Sequence, residues 1–112
     1  QQEMTMITVL FEADARPEHQ QRYLQLAAEL RPELDAIQGF IAIERFQSLT
    51  NPGKILSLSW WENEQAVLEW KSHLRHQAAQ SEGQQTIFSR YQIKVATVVR
   101  EYSSVASEVD HV

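Results

Sequence analysis

The chain has 112 residues, 43% hydrophobic and 22% charged, which is enough for one globular domain and too little for two. Ten basic against fifteen acidic residues give a formal charge of −5 with no basic run, which argues against nucleic acid and anionic membrane as partners. Cysteine is absent, which excludes a disulfide, a thiolate zinc site and an iron–sulfur cluster and suits a cytoplasmic protein. The opening QQEMTMITVLF lacks the basic and long apolar regions of a secretory signal, and no apolar run reaches membrane-spanning length. Met4 and Met6 are the two candidate natural starts.

Residues 5–12 (TMITVLFE) read as a strand, with Met6 and Leu10 on one face and Ile7, Val9 and Phe11 on the other. The residues from Asp14 to Arg16 break that pattern, and Pro17 opens a helix at the position where a missing N–H does no harm. Tyr23, Leu26, Ala27, Leu30 and Leu34 then recur at helical spacing. Pro32 should kink or end the helix near Ala28–Arg31, with a further turn to Ile37, and Gln38-Gly39 is the stop. A second strand runs from Phe40 to Leu49, with Phe40, Ala42 and Phe46 facing one way and Ile41 and Ile43 the other. Thr50-Asn51-Pro52-Gly53 is a turn signal that makes an antiparallel hairpin with a third strand, Lys54 to Trp61. In that strand Leu56, Leu58 and Trp60 oppose Ile55, Ser57, Ser59 and Trp61.

Asn63 is the N-cap of a second helix reaching about Gln80, with an apolar stripe of Val67, Trp70, Leu74 and Ala78. Gly83 marks a break, and Gln84–Phe88 is a connector of about one helical turn. Ser89 to Tyr102 reads as a long last strand, so that residues 1–102 form one domain and 103–112 a mobile tail. The order β-α-β-β-α-β is the split βαβ of ferredoxin-like α+β folds: an antiparallel sheet with both helices on one face. Several strands are apolar on both faces, so the face away from the helices needs cover. A homodimer packed sheet to sheet supplies it, with exchange of the last strand as a further option. The alternative is that helices and loops cover that second face.

There is no GxGxxG, no GxxxxGK[ST], no HExxH and no GxSxG, which leaves nucleotide, zincin and hydrolase chemistry without support. The stretch Ser57–Gln80 instead gathers all three tryptophans and two of the four histidines. His73 and His76, three apart on one helix, can converge on one ligand or one proton, and an imidazole can deprotonate a phenol or enol near neutral pH. The plainer reading is two partly exposed surface histidines. Neither has a carboxylate or third imidazole in register, so no metal site is expected. His19 and His111 fall on a polar helix face and in the tail. Trp60 and Trp61 point to opposite sheet faces and Trp70 lies in the helix stripe; each reads as core or as the wall of an aromatic pocket. Arg45, in mid-strand, is an anchor for an anionic or oxyanionic ligand group, half of an ion pair, or an arginine at the sheet rim.

The runs WWENEQAVLEW, SHLRHQAAQSEG and YQIKVATVVREY, with Gly39-Phe40 before them, resemble the antibiotic biosynthesis monooxygenase (ABM) family of dimeric α+β barrel proteins. The likeness covers roughly residues 5 to 102. It implies a small homodimer with a cavity between sheet and helices. It also implies oxygenation of a small aromatic, polyketide-like or quinol molecule with no bound metal or organic cofactor. On that reading His73 or His76 is the general base, Trp61 and Trp70 line the pocket, and Arg45 orients the ligand. A haem-degrading relative uses an Asn, a Trp and a His; Trp70 matches the Trp, but the His position resembles Gln80 and the first strand has no Asn. Haem binding would then require His76 as substitute. The other reading is a non-catalytic dimeric module that binds a small ligand or serves a stress or regulatory role.

Overall fold

The computed structural model describes residues 6–14, 17–80 and 91–104, and of residues 75–80 the helical backbone only. The element order is β1 (Ile7–Asp14), α1 (Pro17–Asp35), β2 (Phe40–Gln47), β3 (Lys54–Trp61), α2 (Glu64–Gln80) and β4 (Tyr91–Thr97). The strands form one antiparallel sheet in the order β2-β3-β1-β4. This is the expected α+β ferredoxin-like arrangement. The expected connector at Gln84–Phe88, the break at Gly83 and the tail beyond Ser104 lie outside the described residues.

Register assigns the faces. Ile7, Val9, Phe11 and Ala13 of β1 share a side with Trp61, Ser59, Ser57 and Ile55 of β3. That side is the helix side, because Leu34 of α1 and Ala66 and Val67 of α2 pack with Ile7 and Trp61, and Tyr23 of α1 packs with Ala13 and Ile55. The opposite side carries Leu10, Leu56, Leu58, Trp60 and Phe46. It is the apolar second face that the alternation led one to expect.

The structure departs from the sequence-based expectation at several points, beginning with the strand bounds: β1 runs on to Asp14 and β2 ends at Gln47, short of Leu49. A β-bulge between Phe40 and Ala42 puts Phe40 opposite Trp61 on the helix side, while Ala42 and Phe46 stay on the open side. An extra residue in one strand reverses the parity of everything before it. Of the two expectations at Pro32, a kink or an end, the end is not met: α1 continues to Asp35. The proline removes one ladder bond in the final turn, and burial of Leu34 (3% exposed) against the core holds that turn in place. The last strand is shorter than Ser89–Tyr102, because its partner β1 runs out: Val98 N–H reaches Met6 O at 2.9 Å, and residues 98–104 have no strand assignment.

Gly39 closes the corner between α1 and β2. Its φ of +101° is left-handed, and a Cβ there would stand 2.9 Å from the Cβ of Ala66. Its carbonyl accepts the Glu62 N–H at 2.8 Å, so the same backbone also fixes the end of β3. Replacing Gly39 by alanine should destabilise the fold by about 1–3 kcal/mol in urea unfolding, through backbone strain plus overpacking. A cost within error of zero would mean that the corner gives way freely.

On the open face Lys54 Nζ meets Glu12 Oε1 at 2.9 Å. The hydrogen bond and charge of Lys54 hold the Glu12 carboxyl below its usual value; desolvation opposes this and the charge of Lys94 adds to it. A lowered folded-state value makes the pair's contribution present above the ordinary glutamate range and lost as pH falls through the lowered value. Urea midpoints measured down the acid limb should therefore fall less steeply for Lys54→Met than for the parent chain. Parallel limbs would contradict this.

Candidate functional site

The candidate site is built from α2 upward. Asn63 caps the helix, its Oδ1 accepting the Ala66 N–H at 2.9 Å, as the sequence led one to expect. Ala66 and Val67 are buried against Trp61, and Trp70, one turn on, is half-buried against the same cluster. His73 follows at three residues' spacing, and its ring stacks on Trp70 with centroids 5.4 Å apart and planes 15° apart. Its Nε2 is hydrogen-bonded to Oε1 of Glu33, near the end of α1. His73 is 38% and Glu33 39% exposed, so the pair sits at the seam between the helices, open to solvent on one side. The arrangement is an imidazole held in place by a carboxylate and an indole face, above an apolar floor. It can accept and return a proton.

His76 lies on the same helix, but its side chain is outside the described residues. Trp61 is 1% exposed and belongs to the floor. Its Nε1–H donates to Ser59 Oγ at 2.9 Å and its ring meets Phe40 edge-on at 5.2 Å, so its donor is already engaged. Trp60 lies on the open face, paired with Thr8 and Ala42. Arg45 is on the helix side of β2 opposite Ser57, whose hydroxyl shares a buried 2.8 Å hydrogen bond with Tyr23. The Arg45 Nε is buried and has no hydrogen-bond partner among the described residues. Ser57 precedes Trp61 by four strand residues, about 13 Å at ~3.3 Å per residue. The structure thus brings His73 together with Trp70 and Glu33, Trp70 packing on the cluster that holds Trp61, and places Arg45 further along the sheet.

Glu33 is the residue that reading the sequence missed. Forty residues separate it from His73. The available signal was positional: Glu33 flanks Leu34 as His73 flanks Trp70 and Leu74, so each sits at the edge of an apolar stripe that packs on the same sheet face.

Beyond the floor, the helix side of β4 offers Tyr91, Ile93 and Val95, all exposed, beside Val9 and Phe11 of β1. The rings of Phe11 and Tyr91 stack at 5.5 Å. An open depression of about 300 Å³ lies at the far end of β1, between Asp14, Asn51, Lys54 and Tyr91, and does not touch the His73 group. Among the described residues no three His, Asp or Glu side chains gather as a metal site requires. No helix among them is long and apolar enough to cross a membrane.

The family model described as antibiotic biosynthesis monooxygenase matches residues 6–82. The jasmonate monooxygenase ABM of Pyricularia oryzae is 38% identical over 99 residues, covering 88% of this chain and 46% of that protein. An uncharacterized protein of Bacillus subtilis, YqjZ, is 30% identical over 63 residues, covering 56% of this chain and 54% of that protein. The chain therefore spans about half the length of the curated relatives it matches. A dimeric ferredoxin-like protein from an uncultured marine organism superposes with a TM-score of 0.72 at 7% identity, covering 89% of this chain and all of that one, a likeness of fold alone.

Proposed function

The chain belongs to the antibiotic biosynthesis monooxygenase family, and from that premise we propose that it oxygenates a small aromatic, polyketide-like or quinol molecule with His73 as general base. The observation that carries this reading is the His73 ring, held between Trp70 and Glu33 above an apolar floor. An electron-rich substrate that loses a proton to His73 keeps the electron pair and becomes able to reduce oxygen directly. The balance closes for a methylene carbon and a single dioxygen molecule. One oxygen atom stays on the carbon as a carbonyl, and the other leaves as water with both hydrogens. The substrate supplies the electrons, and the protein supplies a base, a pocket and a stabiliser for developing negative charge. No separate metal or organic cofactor enters that balance. Trp70 offers an aromatic wall. Arg45, whose buried Nε has no partner among the described residues, is suited to an anionic group at the far end of a ligand. His76, one turn beyond His73, is the second candidate for proton return.

The reading includes a homodimer. Its support is the open sheet face of Leu10, Leu56, Leu58, Trp60 and Phe46, together with the dimeric neighbour of the same fold. Light scattering should return a mass of two chains; a single-chain mass at micromolar concentration would contradict it.

Oxygen uptake tests the reaction, with polycyclic phenols and quinols as probes and jasmonate added because of the relative named for it. At least one probe should be consumed with equimolar oxygen. His73→Ala should lower kcat by roughly a hundredfold or more, the usual range for a general base. Trp70→Leu and Arg45→Met should act mainly on KM. Full activity in His73→Ala would remove it as the base. Tight binding of a probe without turnover would favour the non-catalytic module.

A further inference from the structure

We infer that Glu33 is the positioning residue of this site: by holding Nε2 of His73 it fixes the ring as the Nε2–H tautomer and makes Nδ1 the nitrogen that takes the substrate's proton. The inference rests on His73 as the base. A carboxylate has acceptors and no donor, so the ring nitrogen bonded to it supplies the hydrogen. A neutral imidazole has one N–H; with that hydrogen at Nε2, the lone pair is at Nδ1. Among the described residues Nδ1 makes no hydrogen bond.

The geometry holds this assignment from two sides. Trp70 lies nearly parallel to the ring, which restricts rotation out of the stack. Glu33 precedes Leu34, which is buried in the same cluster that carries Val67 and Trp70. Carboxylate and imidazole are thus carried by two helices docked on one core, although the polar atoms themselves are partly exposed. A surface ion pair formed by two long mobile side chains has no such support.

The proton inventory follows. The substrate's proton passes to Nδ1 and its electron pair remains on the substrate. The ring is then protonated at both nitrogens, with its charge against the Glu33 carboxylate and over the Trp70 face. Oxygen adds to the carbon as a peroxide anion, which takes the proton back from Nδ1. The freed Nδ1 then removes the carbon's second hydrogen as the carbonyl forms and the O–O bond breaks, and it passes that proton to the departing hydroxide, which leaves as water. His73 ends neutral in its starting tautomer, and Glu33 neither gains nor loses a proton.

The test is the 15N spectrum of the imidazole ring in the full chain under mildly alkaline conditions, where an imidazole is neutral. The parent protein should show His73 as the Nε2–H tautomer. Glu33→Gln can turn its amide N–H to the ring as readily as its oxygen and should lose the single tautomer. Glu33→Ala should give the mixture of tautomers of an unconstrained ring. On whichever phenol or quinol turns over, Glu33→Gln should lower kcat by roughly ten- to a hundredfold with KM within about twofold. An Nδ1–H tautomer in the parent overturns the inference, and so does a Glu33→Ala spectrum identical to the parent's. If Glu33→Ala fails to fold, a Glu33→Gln spectrum identical to the parent's overturns the inference instead. Absence of turnover on every probe would sink the oxygenase reading, while the tautomer spectra would still decide the role of Glu33.

Discussion

Burial of Trp61 is the constraint on which the rest of this structure depends. It is the largest side chain with essentially no exposure, and every element of the helix layer meets it. Ile7 of β1 and Phe40 of β2 flank it in the sheet, Leu34 arrives from α1, and Ala66 and Val67 arrive from α2. A tryptophan buried this deeply needs a partner for its N–H, and Ser59, two residues back on the same face of β3, supplies one. That requirement explains a serine on the buried face of a strand. It also removes Trp61 from the set of donors open to a ligand.

From that post the site follows by spacing. Gly39 lets the α1–β2 corner approach Ala66 closely enough for α2 to start directly above Trp61. Three residues beyond Val67, Trp70 caps the floor, and three beyond Trp70, His73 reaches the seam with α1. Leu34 places Glu33 on the other side of that seam. The polar pair is therefore a consequence of apolar docking. Its two members are brought together by the core and not by their own attraction, which at this exposure is worth little in stability.

The sequence made the elements legible because the local signals agreed: Pro17 at a helix start, Asn63 as a cap, and Asn51-Pro52-Gly53 at a hairpin. The division of Trp60 and Trp61 between two faces followed from simple alternation and holds. Alternation failed at Phe40, where the bulge reverses parity without any composition signal. It also overran the end of β4, because how far a strand extends is set by its partner and not by its own residues. The candidate site was open to reading only in part. His73 and Trp70 stood out by residue type and spacing, whereas Glu33 is one acidic residue among many and owes its place to tertiary packing across forty positions.

Glu33 and His73 are held to act as one unit, and a double-mutant cycle on kcat tests that most directly. It takes a probe that turns over and compares Glu33→Gln, His73→Gln and the double variant with the parent. If the carboxylate works only through the imidazole, the double variant should be no slower than His73→Gln alone. If the two losses multiply, Glu33 acts on the reaction independently of His73, and its role as the residue that positions the imidazole is contradicted.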